Sequence, residues 1–128
     1  MSQKVIINTL KAPAAIGPYN QAIQADKTLY VSGQIPLVPE SMTLVDTGIQ
    51  DETHQVFKNI EAILHEAGYG FEDVVKASIF LSDMDNFAAV NEIYAQYFTV
   101  NQPARECVAV KTLPKNVNIE ISVIAWKA

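Results

Sequence analysis

The sequence predicts an α+β fold in which two helices cover one side of a single sheet. Six short stretches are apolar runs or alternate between polar and apolar residues, as strands do, and two longer stretches carry apolar residues at helical spacing. Their order is β β β α β α β β. One sheet with two helices makes a two-layer arrangement. We expect residues 1–128 to form one domain, because a chain of this length encloses a single ordinary core.

The first three predicted strands lie before residue 37. KVIIN, at residues 4–8, is a short apolar run. QAIQADKTLYVSGQIP, at 21–36, alternates as two strands around a turn at Asp26–Lys27. Residues 37–48 contain Pro39 and Gly48, which interrupt regular secondary structure, and are predicted to be a loop.

Two amphipathic helices follow, with the strand DVVKASIFL (73–81) between them. Gly68 is well placed to end the first helix, and Asp83 or Asp85 is the expected N-cap of the second. The apolar face of the first helix comprises Ile49, Val56, Phe57, Ile60, Ile63, Leu64 and Ala67. That of the second comprises Phe87, Val90, Ile93, Tyr94 and Tyr97.

The last two strands, residues 105–112 and 117–126, are predicted to form a hairpin around the loop LPKN. Val110 is then expected opposite Ile119. The side expected to face the helices carries Val108, Val110, Ile119, Ile121 and Val123, together with Glu106. The other face is uncovered in this prediction. It carries Arg105, Cys107, Ala109, Glu120, Ser122, Ile124 and Trp126.

This uncovered face mixes charge, a thiol and an aromatic ring, which is typical of a surface that meets another subunit. Arg105 and Glu120 are expected to flank a small molecule there, because arginine grips a carboxylate through two parallel hydrogen bonds. The alternative is that the two residues form only an ion pair or interface contacts.

Composition narrows the functional classes. A net charge of −5 and a pI near 4.9 argue against a nucleic-acid groove or an anionic membrane surface. No apolar run approaches the ~18 residues of a membrane span, and a signal sequence is not indicated, so a cytoplasmic location is expected. The single cysteine, Cys107, excludes an internal disulfide and a multi-cysteine zinc site. His54 and His65 are expected to be solvated, which leaves that thiol without an activating base.

Three stretches carry a resemblance to a known family. APAAIGPYNQAI (12–23), VSGQIP (31–36) and QPARECVAVKTLPKNVNIEI (102–121) resemble the Rid family of imine and enamine deaminases, also called YjgF-type proteins. The similarity extends over nearly the whole chain. It implies a chorismate-mutase-like fold and a homotrimer whose sites lie in clefts between subunits.

The resemblance also implies a reaction and a set of site residues. Family members hydrolyse 2-imino acids, such as 2-iminopropanoate and 2-iminobutanoate, to 2-keto acids and ammonia. The implied catalytic residues are Arg105, which binds the substrate carboxylate, and Glu120, which activates water. The implied substrate-binding residues, besides Arg105, are Tyr19, Ser32, Gly33, Asn91 and Cys107.

No metal or organic cofactor is expected, because an iminium carbon is already electrophilic. Two residues depart from the family pattern: Glu106 stands where members usually have a small residue, and Gln102 where many have an aromatic one. Gln102 is expected to alter the shape of the pocket, and so to affect substrate preference more than activity. The alternative that the protein is a non-catalytic module, which binds 2-keto acids or a partner protein, stays open. Arg105 would bind a carboxylate equally well in such a module. A ribonuclease or translation inhibitor is the less favoured alternative, because the chain is acidic and its two histidines are about 16 Å apart along one helix.

Overall fold

The computed structural model describes residues 3–128, and within them the chain forms a six-stranded sheet, a two-stranded hairpin and two α-helices. The strands are β1 (Lys4–Ile7), β2 (Ala22–Ala25), β3 (Thr28–Gln34), β4 (Leu37–Val38), β5 (Thr43–Leu44), β6 (Val74–Leu81), β7 (Ala104–Ala109) and β8 (Ile119–Trp126). The helices are α1 (Ile49–Glu66) and α2 (Phe87–Tyr97). The predicted α+β class and the order of the main elements are confirmed. The segment 37–48, predicted to be a loop, contains the small β4–β5 hairpin.

The large sheet is mixed, with the strand order β1-β2-β3-β8-β6-β7. Its neighbouring strands are antiparallel except β6 and β7, which are parallel. Helix α2 connects these two strands, as a parallel pair requires a crossover. Strand β8, although last of these strands along the chain, lies between β3 and β6.

The core lies between the helices and one face of this sheet. Its fully buried α1 residues are Val56, Phe57, Ile60, Ile63 and Leu64. They share the core with Leu29, Ala77, Ile79, Leu81, Ile119 and Ile121 of the strands. Both predicted helical faces are therefore confirmed. Helix α1 ends just before Gly68, which has the positive φ of 83° that favours glycine at a helix end.

The entry to α2 is a short 3₁₀ turn, Met84–Asn86. Of the two aspartates predicted as caps, Asp83 takes this role, because its carboxylate accepts a hydrogen bond from the Asp85 N–H at 2.8 Å. The cap therefore precedes the 3₁₀ turn and does not bond directly to α2.

The predicted hairpin of the last two strands is wrong. Strands β7 and β8 are not neighbours, because β6 lies between them and pairs with both. Cys107 is beside Ile79, and Arg105 is beside Ala77, so both point to the helix side. Glu106 and Val108, expected on the helix side, lie on the open side, where Val108 is 44% exposed.

The open side of the sheet still carries the predicted mixture of apolar and polar groups, but with different members. Glu120 and Phe80 face each other there, as do Ser122 and Ser78. Lys76 forms an ion pair with Glu106 on this side at 3.1 Å, and the Ser78 hydroxyl also donates to Glu106. These two bonds lower the pKa of Glu106, with the serine contributing most. The exposed apolar residues on the same side are Ile6, Tyr30, Val108 and Trp126.

Across residues 3–128, every helix falls short of the length and apolar character that crossing a membrane requires.

Candidate functional site

A cavity of about 350 Å³ opens beside the junction of β3 and β8. It brings together four of the residues predicted for the site, namely Tyr19, Ser32, Gly33 and Glu120. Its remaining wall comes from the segment before β2, the segment after Gln34 and the loop at Pro114–Lys115. The enclosed volume suits a small organic acid.

The segment before β2 is held in place by Gln21, a residue that sequence analysis did not single out. Its side chain is 2% exposed and fully bonded. Its oxygen accepts from the Thr9 N–H at 2.7 Å, and its amide nitrogen donates to the carbonyls of Thr9, Ala12 and Pro13. Because two of these four bonds are buried and the other two are partly buried, Gln21 fixes the path of the chain that carries Tyr19 to the cavity.

Ser32 and Gly33 lie where the register of β3 against β8 shifts, between Val31 and Gln34. Such a bulge re-aims side chains at the edge of a site. The Ser32 hydroxyl donates to the carbonyl of Asn20 at 2.6 Å, and the Ser32 N–H donates to the carbonyl of Gln21. Ser32 therefore ties the bulge to the segment that carries Tyr19.

Gly33 lies directly under the Glu120 side chain. A Cβ atom added to Gly33 would be 2.6 Å from the Glu120 Oε2 atom and 2.9 Å from its Cδ atom. No real Cβ contact is that short, so glycine is required for the carboxylate to occupy this position. Close approach is a recurring reason for glycine beside a site.

Glu120 is half-buried, and burial raises the pKa of its carboxyl above the ordinary value. Among residues 3–128, one salt bridge is shorter than 4 Å, between Lys76 and Glu106. Glu120 therefore forms no salt bridge within the described part of the chain. The ion-pair alternative for Arg105 and Glu120 therefore does not hold within one chain. A carboxyl group whose pKa is raised holds a proton more readily than an exposed one, which suits proton exchange with a substrate.

Arg105 and Asn91, also predicted for the site, form a second cluster on the helix side of β7. The Arg105 Nη1 atom donates to the Asn91 Oδ1 atom at 2.7 Å. The guanidinium carbon lies 4.7 Å from the ring centroid of Tyr94 and 5.6 Å from that of Phe87. A second cavity, also of about 350 Å³, borders Asn91, Tyr94, Ala95, Phe98, Gln102, Pro103 and Arg105.

Cys107 is two residues beyond Arg105, half-buried against the core. Burial raises the pKa of its thiol, only partly offset by the nearby Arg105 charge. A thiol is a far weaker nucleophile than a thiolate.

Neither histidine borders either cavity. The expectation that both are solvated is wrong for His54, whose Nδ1 atom is 2.7 Å from the Tyr97 hydroxyl, whereas His65 is exposed.

One chain does not bring Arg105 to Glu120. The two residues point to opposite sides of the sheet, so the expectation that they flank one molecule on a shared face is wrong for a single chain. Lys115 is the cation that borders the Glu120 cavity, and sequence analysis treated it only as part of a loop. Among residues 3–128, no group of three or more His, Cys, Asp or Glu side chains is arranged to hold a metal ion.

Comparison with known proteins gives consistent results. The family model described as endoribonuclease L-PSP matches residues 9–127. A RutC family protein of Pyrococcus horikoshii is 50% identical over 124 residues, covering 97% of this chain and 98% of that protein. The human 2-iminobutanoate/2-iminopropanoate deaminase is 49% identical over 120 residues, covering 94% of this chain and 88% of the human protein.

Solved structures share the fold as well as the sequence. Escherichia coli TdcF, crystallised with bound serine, superposes with a TM-score of 0.93 at 38% identity, covering 97% of this chain and 99% of TdcF. The resemblance recognised in the sequence is therefore confirmed. With a family model that spans nearly all of the chain and relatives near 50% identity, the chain belongs to the endoribonuclease L-PSP family, also known as the YjgF or Rid family.

Proposed function

We propose that this protein hydrolyses 2-imino acids, such as 2-iminopropanoate and 2-iminobutanoate, to 2-keto acids and ammonia. One observation carries the proposal. A half-buried carboxyl with a raised pKa, Glu120, is held over Gly33 in a cavity sized for a small acid. The deaminase name of the human relative and the serine bound to TdcF support the same substrate class.

The site is proposed to form between two copies of the chain. Arg105, Asn91 and the backbone at Cys107 come from one copy, and Tyr19, Ser32, Gly33 and Glu120 from the other. The placement of these two groups on opposite sides of one sheet supports this division. We propose a homotrimer, because a cyclic assembly repeats such a contact between each pair of neighbours. Each chain is proposed to act as one domain over residues 1–128.

The reaction then needs only water and the protein's own groups. Arg105 holds the substrate carboxylate and sets the orientation of the C=N bond. The ionised Glu120 removes a proton from a water molecule as its oxygen bonds to the imine carbon. The same carboxyl returns the proton to the nitrogen, which leaves a tetrahedral carbon bearing a hydroxyl and a protonated amine. The hydroxyl then gives its proton to Glu120 as the C=O bond forms and the C–N bond breaks, which releases ammonia and the 2-keto acid. No cofactor takes part in the proposed steps. We also propose a cytoplasmic location, because an unpaired cysteine is typical of reducing compartments.

The central test couples the purified protein to a serine/threonine dehydratase and follows release of keto acid. Faster release than from the dehydratase alone supports the deaminase. Unchanged release together with measurable binding of 2-oxobutanoate would instead identify a non-catalytic binding module. Incubation with RNA in parallel tests the endoribonuclease activity that the family model is named for, and we expect no cleavage.

A mixing experiment tests the shared site. Arg105→Ala and Glu120→Gln proteins are expected to be inactive separately. After they are mixed under conditions that exchange subunits, a site formed by Arg105 of one variant and Glu120 of the other is intact. Random exchange at equal amounts makes about one quarter of the sites intact. Recovery of activity towards that fraction supports the shared site, and inactivity of a demonstrably mixed oligomer contradicts it.

A further inference from the structure

Helix α2 presents three side chains to Arg105 from a single face. Phe87, Asn91 and Tyr94 are spaced i, i+4 and i+7, which places them along one side of the helix. Asn91 accepts a hydrogen bond from the guanidinium, while the rings of Tyr94 and Phe87 lie 4.7 and 5.6 Å from its central carbon. The arginine is otherwise exposed on strand β7, at the end of the sheet order.

The Tyr94 ring is itself immobilised. It is 7% exposed and packs against Phe98 at 4.6 Å and Phe57 at 6.0 Å between ring centroids. Its hydroxyl is buried and has no hydrogen-bond partner among the described residues. Because an unpaired buried hydroxyl costs stability, the hydroxyl does not account for a tyrosine at this position. The ring is the part that contacts a functional group.

An aromatic ring can orient a guanidinium without using its N–H donors. The attraction acts between the cation and the electron-rich ring face, so the N–H groups stay available for a planar carboxylate. An arginine that is already ordered also loses less conformational freedom when it binds a ligand. These two effects favour the fork-like contact that a carboxylate requires.

We propose that Tyr94 and Phe87 are positioning residues that hold the guanidinium of Arg105 ready for a substrate carboxylate. The proposal rests on the carboxylate-binding role given to Arg105 above. It assigns the two rings a task beyond filling the core. A purely structural role predicts that their replacement lowers the melting temperature and leaves the guanidinium and its affinity for ligands unchanged.

The sequence makes a direct measurement possible, because Arg105 is its only arginine. The arginine side chain of the ¹⁵N-labelled protein therefore gives a single Nε–Hε signal, and its heteronuclear relaxation reports the order of this group in the absence of ligand. We expect an ordered signal in the wild type and in Tyr94→Phe, which keeps the ring and removes the unpaired hydroxyl. We expect a mobile signal in Tyr94→Leu.

Phe87→Leu is the second variant, because Phe87 is only half-buried and its loss threatens folding less. A smaller gain in Arg105 mobility is expected for it, since the Phe87 ring is the more distant one. A signal that stays ordered in both leucine variants overturns the proposal. So does a signal that is already mobile in the wild type.

Calorimetric binding of 2-oxobutanoate gives the functional readout. Tyr94→Leu is expected to bind about three- to tenfold more weakly than Tyr94→Phe, the cost of ordering one long side chain. The Michaelis constant should rise by a similar factor, with a smaller change in kcat. Equal affinities in folded Tyr94→Leu and Tyr94→Phe overturn the positioning role. If the wild type binds no keto acid, the carboxylate role of Arg105 fails, whereas the relaxation data still decide whether the rings order it.

Discussion

At the scale of single residues, Gly33 decides where the Glu120 carboxylate can lie. The Cβ atom of an alanine would be 2.6 Å from the Glu120 Oε2 atom, so one of the two groups must shift. We expect Gly33→Ala to displace the carboxylate and to lower turnover by roughly the 10²–10⁴ typical of a lost acid–base group. Gly17→Ala is the matched control, because its Cβ would contact only the Tyr19 ring at an ordinary 3.5 Å. Equal activities of the two variants would contradict the proposed contact.

Arg105 and Glu120 have different proposed roles, in substrate binding and in proton transfer, and substitutions should separate the two roles. Arg105→Ala is expected to abolish both binding of 2-oxobutanoate and turnover, and lysine should rescue poorly because a point charge lacks the two-pronged geometry. Glu120→Gln should retain binding while turnover falls by about 10²–10⁴. Calorimetry and the coupled assay measure the two properties. A folded, assembled and fully active Glu120→Gln protein would remove the catalytic role from Glu120.

The raised pKa of Glu120 also gives a pH dependence of stability. Between the ordinary carboxyl pKa of 4.5 and the raised value, the folded protein binds more protons than the unfolded chain. The contribution of this group to stability is therefore present below pH 4.5 and is lost as pH rises through the folded pKa. We expect Glu120→Gln to melt at a higher temperature than the wild type at pH 7, with the difference vanishing at low pH. Thermal unfolding followed by circular dichroism at several pH values tests this.

The same pKa bears on activity. The ionised form of Glu120 is the one that removes a proton from water, so kcat/KM should fall on the acidic side around the raised pKa. The midpoint of this decline is expected above 4.5, and the pH–rate profile of the coupled assay measures it. Loss of activity only below the ordinary carboxyl pKa would contradict the burial of Glu120 in the working enzyme.

At the scale of elements, the segment before β2 depends on Gln21. Gln21→Ala would leave the buried carbonyls of Ala12 and Pro13 without a donor. We expect this to lower the free energy of unfolding by about 1–3 kcal/mol and to loosen the segment that carries Tyr19. Gln24→Ala, on strand β2, is the control, because among residues 3–128 the Gln24 amide makes a single bond, near an exposed turn. Chemical denaturation of both variants provides the comparison, and equal losses would show that Gln21 is not the anchor.

The sequence predicts an element well when the interactions that form it are between residues close together in the chain. Helix α1 was predictable because its periodicity and Gly68 act within the helix itself. The separation of β7 from β8 was not predictable, because two alternating strands joined by four residues favour a hairpin locally. The true partner of β7 is β6, reached through α2, and no local signal specifies it. Trp126 and Ile124 gave a partial clue, since a strand that is apolar on both faces suits the interior of a sheet.

The lack of local signals for long-range strand pairing also limited the prediction of the site. Tyr19, Ser32, Gly33 and Glu120 were predicted individually, through resemblance and motifs, and the fold brings them to one cavity. Their separation from Arg105 could not be predicted, because it follows from which face of the sheet β7 turns to the helices. Gln21 was missed because a buried glutamine looks like any polar strand residue until its partners are known.

At the scale of the whole molecule, the open side of the sheet is the surface proposed for trimer formation. Its apolar members Ile6, Tyr30 and Trp126 are 60%, 50% and 49% exposed. An exposed apolar patch on a sheet is typical of a surface that binds another protein chain. We expect light scattering to give a trimer at micromolar concentration. Ile124→Glu, at the centre of this surface, should dissociate it and abolish turnover. Leu10→Glu is the control, since Leu10 is 95% exposed outside the sheet and should change neither property. A wild-type monomer would remove the shared site.

The central place of β8 has a consequence for how the chain folds. Strands β1 to β3 can pair as they emerge, and β6, α2 and β7 can form a unit of their own. In the described part of the chain, these two halves share no strand-to-strand hydrogen bonds until β8 enters between β3 and β6. The partners of β8 are about 40 and 90 residues distant along the chain, and such long-range closure slows folding. Because Glu120 lies on β8, the catalytic carboxyl proposed here is set in place by the event that joins the two halves.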